Sequence, residues 1–335
     1  MAVNHAFKLM SRPVGLPSRE NFEFVDEPVG EPRPDEVRVR VLYISLDPAM
    51  RGWMNDTRSY IPPVGIGEVM RALGLGRVEE SNHPDFAAGD HVVGLLGVQE
   101  RAVLHGGGLT RVDPGVAPLP VHLSALGMTG LTAYFGLLDI GRAEAGDSVV
   151  VSGAAGAVGQ IVGQIAKLKG ARVVGIAGGP TKCQYIVEEL GFDVAIDYKR
   201  EDVAAALGER CPNGIDVYFD NVGGEILDAA LAHLARRARV VICGAISQYN
   251  VGDAMKGPAN YLALLVHHAS MTGFVATDYA RRFDKGREAL AAWLASGELR
   301  SREDIVDGLE TFPETLLKLF TGDHLGKLMI RVAED

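Results

Sequence analysis

The stretch Ser148-Val-Val-Val-Ser-Gly-Ala-Ala-Gly-Ala-Val-Gly159 decides the fold. Its first five residues form an apolar run bounded by serines, as a fully buried strand does. Glycines follow at 153, 156 and 159, and Val158 to Lys169 then has helical periodicity. A strand that turns at once into a helix needs glycine for the tight turn, for close approach of the backbone to a ligand, and for packing helix on sheet. The start of the helix presents unpaired N–H groups and the positive end of its dipole, which suits a pyrophosphate.

Working outward, Ala171 to Ala177 reads as a second strand and Thr181 to Leu190 as a second helix. Further strands are expected at Val194 to Asp197, Ile215 to Asp220, Arg239 to Cys243 and Met271 to Val275, with a helix at Gly223 to Leu234 and another at Arg282 to Ala295. Strands alternating with helices at this spacing predict a parallel, doubly wound α/β sheet. The first 120 or so residues differ, being rich in Pro and Gly with short β-like runs such as Val37 to Ile44 and a turn into a strand at Gly89 to Gly94. They read as a partly open β-barrel, and Gly326 to Val332 returns to that texture. The expected domains are therefore 1–122 with 300–335, and 123–299.

Composition narrows the partners. The 335 residues carry a formal net charge of -10, which argues against a nucleic-acid partner. The N-terminus lacks the apolar stretch of a signal peptide, and the longest apolar runs, such as Tyr261 to Val266, are too short to span a membrane. A cytoplasmic location is expected. Cys183, Cys211 and Cys243 are widely spaced, with no CxxC pair, and read as reduced and mostly buried thiols.

The end of the second strand distinguishes the cofactors. NAD sites place an acid there for the ribose hydroxyls. Here the strand ends Ile176-Ala-Gly-Gly179 and Lys182 follows within a turn. Small residues and a lysine accommodate a 2′-phosphate, so NADP(H) is expected.

Absent motifs narrow the chemistry. Zinc-dependent alcohol dehydrogenases use Cys and His ligands in the barrel domain, whereas this chain has Gly67 at the corresponding histidine position and no cysteine in that domain. The nine histidines form no HxxxH pair, none of the nine tyrosines begins a YxxxK pair, and no GxSxG elbow is present. No metal is expected.

Together the motifs place the chain. It resembles the zinc-independent medium-chain dehydrogenase/reductases, in the leukotriene B4 12-hydroxydehydrogenase/prostaglandin reductase branch that includes alkenal and curcumin double-bond reductases. The resemblance runs nearly end to end. Its carriers are Ser45-Leu-Asp-Pro48, Met50-Arg-Gly52, Ile61-Pro-Pro63, Ile66-Gly-Glu68, Gly127-Met128 and Gly130 to Tyr134. Ser152 to Gly159, Gln164 to Gly170, Asp220 to Gly224 and Cys243 to Asn250 complete it.

The resemblance implies a GroES-like barrel domain and a Rossmann domain, and a homodimer built partly on the edge of the nucleotide-binding sheet. It places Gly153, Gly156, Ala157, Val158 and Gly159 at the pyrophosphate, with Gly178, Lys182 and Tyr198 at the 2′-phosphate. Asn221, Cys243, Gly244, Ala245, Ile246, Ser247, Tyr249, Phe274, Val275 and Ala276 would follow the cofactor toward its nicotinamide. Ala49, Arg51, Tyr60 and Met128 would line the substrate pocket. Two positions depart from the family: Ala49 stands where a tyrosine is usual, which implies a roomier pocket, and His324 stands where an asparagine contacts the cofactor. The implied reaction is NADPH-dependent reduction of a C=C bond conjugated to a carbonyl, with Tyr249 as the catalytic hydrogen-bond donor to the substrate oxygen. An NADPH quinone reductase of the same superfamily and a non-catalytic NADPH-binding sensor stay open as alternatives.

Overall fold

The structure, a computed structural model, describes residues 3–335. Its contacts separate two compact units, Met1–Leu123 with Glu303–Asp335, and Ser124–Arg302. Along the chain the first unit supplies β1 (Val3–Leu9), β2 (Phe22–Pro28), β3 (Glu36–Ser45), the short helix α1 (Ala49–Trp53), β4 (Gly74–Ser81), β5 (His91–Gly94), β6 (Arg101–His105) and β7 (Thr110–Val112). The second unit follows with α2 (Met128–Phe135), β8 (Ser148–Ser152), α3 (Gly159–Leu168), β9 (Arg172–Ala177), α4 (Pro180–Gln184) and β10 (Val194–Asp197). It continues through α5 (Val203–Arg210), β11 (Ile215–Asp220), α6 (Gly224–Leu231), β12 (Leu234–Ile242), α7 (Ala263–Val266), β13 (Ser270–Gly273) and α8 (Phe283–Ser296). The chain then returns to the first unit with β14 (Glu303–Asp307), α9 (Phe312–Thr321) and β15 (Lys327–Arg331).

In the second unit all pairings are parallel and the strand order is β10-β9-β8-β11-β12-β13. Counted within this sheet the order is 3-2-1-4-5-6, so the connection reverses direction between β8 and β11, the place where such sheets bind nucleotides. The central strands are buried on both faces, as their unbroken Val, Ile and Phe runs require. Tyr218, Ile196, Leu231 and Val240 meet in one core under α5 and α6.

In the first unit β1 and β2 form an antiparallel hairpin. The larger sheet runs β14-β15-β3-β4-β5-β7, with β6 on β3. Phe7, Phe22 and Phe312 close its core, their ring centroids 5.1–5.3 Å apart along the chain of contacts.

Several boundaries differ from expectation. The helix expected to reach Leu234 ends at Leu231, because Leu234 already pairs with Ile215 in β12. The last strand of the parallel sheet is Ser270–Gly273, earlier than expected, and the second helix passes into a π-helical turn at Tyr185–Glu189. Of the cysteines only Cys211 is fully buried; Cys183 and Cys243 are partly exposed.

Candidate cofactor site and pocket segment

Because every strand of the second unit is parallel, the loops after β8 to β13 share one edge of the sheet. On that edge stand Gly153 to Gly159, Gly178 with Lys182, Tyr198, Asn221, Cys243 to Tyr249, and Phe274 to Ala276.

The glycine turn is sterically required. Gly153 has φ +59, and a Cβ on Gly159 would lie 2.3 Å from the Gly153 carbonyl oxygen. At the start of α3 the amides of Gln160, Ile161 and Val162 bond back to the carbonyls of Gly156 and Val158, which closes the turn and sets the positive end of the helix dipole against it. This cradle fits a pyrophosphate.

The switch point is organised by a buried acid. Asp220 is 1% exposed, and its carboxylate accepts Ser152 Oγ–H (2.9 Å), Tyr218 O–H (3.0 Å) and the N–H groups of Val222 and Gly223 (both 3.0 Å). Burial raises the Asp220 carboxyl above its ordinary range, and raises Tyr218 further still. Asn221 is fixed beside it, its amide Nδ2 donating to the Ser152 carbonyl at 2.7 Å. Sequence reading missed Asp220 and Ser152 as organisers, although both lie in segments that carried the resemblance.

The loop after β12 is tied to that after β11. Cys243 and Gly244 donate to the Asp220 carbonyl, Ile246 to that of Asn221 and Ser247 to that of Val222. Within the loop the Ala245 N–H donates to Tyr249 Oη at 3.1 Å. Burial, with the nearby Asp220 charge, pushes the Cys243 thiol up to about 12. Phe274 packs over Gly136, where a Cβ would come within 2.5 Å of its ring; Val275 is partly buried and Ala276 buried.

At the far end of the edge no acid ends β9, and the Tyr198 ring covers Gly178 so closely that a Cβ there would meet it at 2.8 Å. Lys182 lies on α4, partly exposed. This end fits a 2′-phosphate better than bare ribose hydroxyls.

In the first unit Ala49 opens α1 and is partly buried, Tyr60 is 64% exposed, and His324 Nδ1 lies 3.0 Å from the Lys318 carbonyl. Met128, the first residue of α2 in the second unit, is partly exposed. Arg51 corrects the expected pocket lining. It is 3% exposed, and its guanidinium donates to the carbonyls of Gly15 and Pro13, both at 3.0 Å, and to Asn55. It anchors the loop 13–15, since a buried cation needs acceptors on all sides. Among the described residues no three His, Cys, Asp or Glu side chains converge on a point that could hold a metal ion.

Comparison with known proteins agrees with this geometry. Residues 5–112 match the family model described as the N-terminal domain of oxidoreductase, and residues 157–294 the one described as zinc-binding dehydrogenase. The NADPH-dependent curcumin reductase of Escherichia coli is 43% identical over 337 residues, covering 99% of this chain and 98% of that one. The NADP(+)-dependent 2-alkenal reductase of Nicotiana tabacum is 38% identical over 304 residues, covering 90% and 88%. The crystal structure of CurA in complex with NADPH from Vibrio vulnificus superposes with a TM-score of 0.94 at 42% identity, covering 99% of this chain and 100% of that one. The chain belongs to the zinc-independent medium-chain dehydrogenase/reductases, in the branch of the curcumin and alkenal double-bond reductases.

Proposed function

We propose that this protein reduces the C=C bond of α,β-unsaturated aldehydes and ketones with NADPH. The observation that carries the reading is the Cys243-to-Tyr249 loop, tied to the switch point and holding the Tyr249 oxygen against its own backbone. Gly153, Gly156, Ala157, Val158 and Gly159 would hold the pyrophosphate, and Gly178, Lys182 and Tyr198 the 2′-phosphate. Asn221, Cys243 to Ser247, Phe274, Val275, Ala276 and His324 would flank the remainder of the cofactor. Ala49, Tyr60 and Met128 would line the substrate pocket. Bound NADPH supplies the hydride.

The protein's own part is electrostatic. Reduction at the β-carbon places negative charge on the carbonyl oxygen, and a preorganised hydrogen-bond donor there lowers the barrier most. Tyr249 accepts the Ala245 N–H through oxygen, which fixes the hydroxyl and directs its proton to an acceptor. Tyr249 is the donor we assign to that oxygen.

The purified protein is tested with NADPH and a panel of enals, enones, quinones and simple ketones, with and without a chelator. The expected result is cofactor consumption with enals and enones, products saturated at the C=C bond with the carbonyl intact, and no effect of chelation. Consumption with ketones or quinones alone, or activity abolished by the chelator, overturns the reading.

The assembly we assign is a homodimer through the β13 edge. Tyr261, Leu262, Leu265 and Val266 are 56–76% exposed beside this edge strand, itself exposed throughout. Apolar exposure of this extent next to an open strand edge supports burial against a second copy. The three cysteines are unbridged, which supports a reducing cytoplasmic setting.

A further inference from the structure

The acid missing from the end of β9 has a counterpart at the end of β10. Asp197 is 8% exposed, and its carboxylate reaches into the neighbouring turn at Gly179. Oδ1 accepts the Gly179 N–H at 2.7 Å and the Lys199 N–H at 3.1 Å. The Tyr198 N–H donates to the Ala177 carbonyl at 3.1 Å, so backbone and side chain together join the two loops. Gly179 takes φ +93, a conformation other residues rarely adopt, and Pro180 follows it directly into α4, the helix that carries Lys182.

Asp197 is itself held from behind. Its N–H donates to Glu201 Oε1 at 2.8 Å, and Glu201 Oε2 accepts from the Arg210 guanidinium, which keeps the Glu201 carboxyl below its usual range. Arg200, on the same loop, lies 3.8 Å from Asp197 Oδ2 and offsets its charge. A carboxylate so engaged accepts from backbone amides instead of offering itself to ribose hydroxyls.

We propose that Asp197 is a positioning residue for NADP(H) over NAD(H): it locks the Gly178–Gly179 turn to the Tyr198–Lys199 loop and so sets the spacing of Lys182 and Tyr198 around a 2′-phosphate. The proposal rests on the NADP(H) reading. It assigns Asp197 no contact with the cofactor. An acid in this neighbourhood, which by charge alone would oppose a phosphate, instead favours it through geometry.

The test measures dissociation constants of NADPH and NADH by protein fluorescence for the wild type, Asp197→Ala, Asp197→Asn and Glu201→Ala. Folding of each variant is checked by circular dichroism. The wild type is expected to prefer NADPH at least tenfold; equal affinities would sink the NADP(H) reading itself. Asp197→Ala is expected to weaken NADPH about tenfold and NADH less than twofold. Asp197→Asn, which keeps one acceptor oxygen, is expected to retain most of the preference. Equal weakening of both cofactors by Asp197→Ala assigns a merely structural role and overturns the proposal, as does tighter NADPH binding. If Asp197→Ala does not fold, Glu201→Ala decides: a loss confined to NADPH supports the proposal and an equal loss overturns it.

Discussion

The ammonium of Lys327 lies 2.6 Å from the carboxylate of Asp47 and 2.8 Å from the Leu46 carbonyl, with its side chain only 2% exposed. This pair bolts the segment leading into α1, and hence Ala49, to β15, three residues beyond His324. The two partners are not equivalent. Asp47 keeps 18% exposure and a hydroxyl donor from Ser45 at 2.5 Å, whereas Lys327 has no water to fall back on. Asp47→Ala is therefore expected to destabilise the protein by about 3–5 kcal/mol, and Lys327→Met by clearly less. Urea denaturation orders the two; the reverse order contradicts this account.

Tyr249→Phe removes the proposed donor and the acceptor of the Ala245 N–H, but leaves the backbone bonds that tie the loop to the one after β11. Turnover with an enone is expected to fall by about 10²–10³ while NADPH affinity holds. Single-turnover kinetics and cofactor titration separate these quantities. An unchanged rate removes Tyr249 from the mechanism.

Two glycines give opposite results on substitution by alanine. At Gly159 the new Cβ meets the Gly153 carbonyl at 2.3 Å, so backbone must move, at a cost of about 1–3 kcal/mol and with loss of NADPH binding. At Gly52, inside α1, nothing lies within 4 Å, and alanine is expected to stabilise by about 0.5–1 kcal/mol. Thermal melts and cofactor titration of both variants check the pair.

The thiols are expected to be quiet. Burial pushes Cys183 up to about 11 and Cys243 to about 12, and raises Cys211 as well. At pH 8 native Cys183 and Cys243 should react with a disulfide reagent at least about 10²-fold more slowly than the same thiols in urea, and Cys211 more slowly as well, since only the thiolate attacks. A fast native phase at neutral pH would show that one of them is a reactive thiolate.

Leu265→Glu puts a charge into the apolar patch beside β13, where Leu265 is 76% exposed. Light scattering is expected to show the wild type at twice the chain mass and the variant at the chain mass, with the fold unchanged. A monomeric wild type would refute the assigned assembly.

The central parallel sheet was legible because its strands are buried on both faces and so read as unbroken apolar runs, Val149 to Val151 being the clearest. The glycine turn was legible because sterics leave its residue type no choice. The hairpin strand β2 was not, since Phe22 to Pro28 alternates toward solvent and carries three acids. Nor was β14, whose Glu303, Asp304 and Asp307 give no apolar pattern and whose strand exists through pairing with β15. Arg51 was misread for a related reason: two of its acceptors are carbonyls 36 and 38 positions away. Asp197 and Asp220 escaped notice because they serve backbone amides, which leave no mark in the sequence.

The pairing of β15 with β3, Met329 opposite Ser45, has a consequence during synthesis. Residues 124–302 can collapse on the ribosome as soon as they emerge, their contacts being nested within one continuous segment. The first-made unit must wait: the β3 flank that β15 covers stays an open edge until residues 327–331 are made. Of the two units the earlier-made is thus the later to be sealed, and its vulnerable interval in the cell is set by the translation time of the other unit.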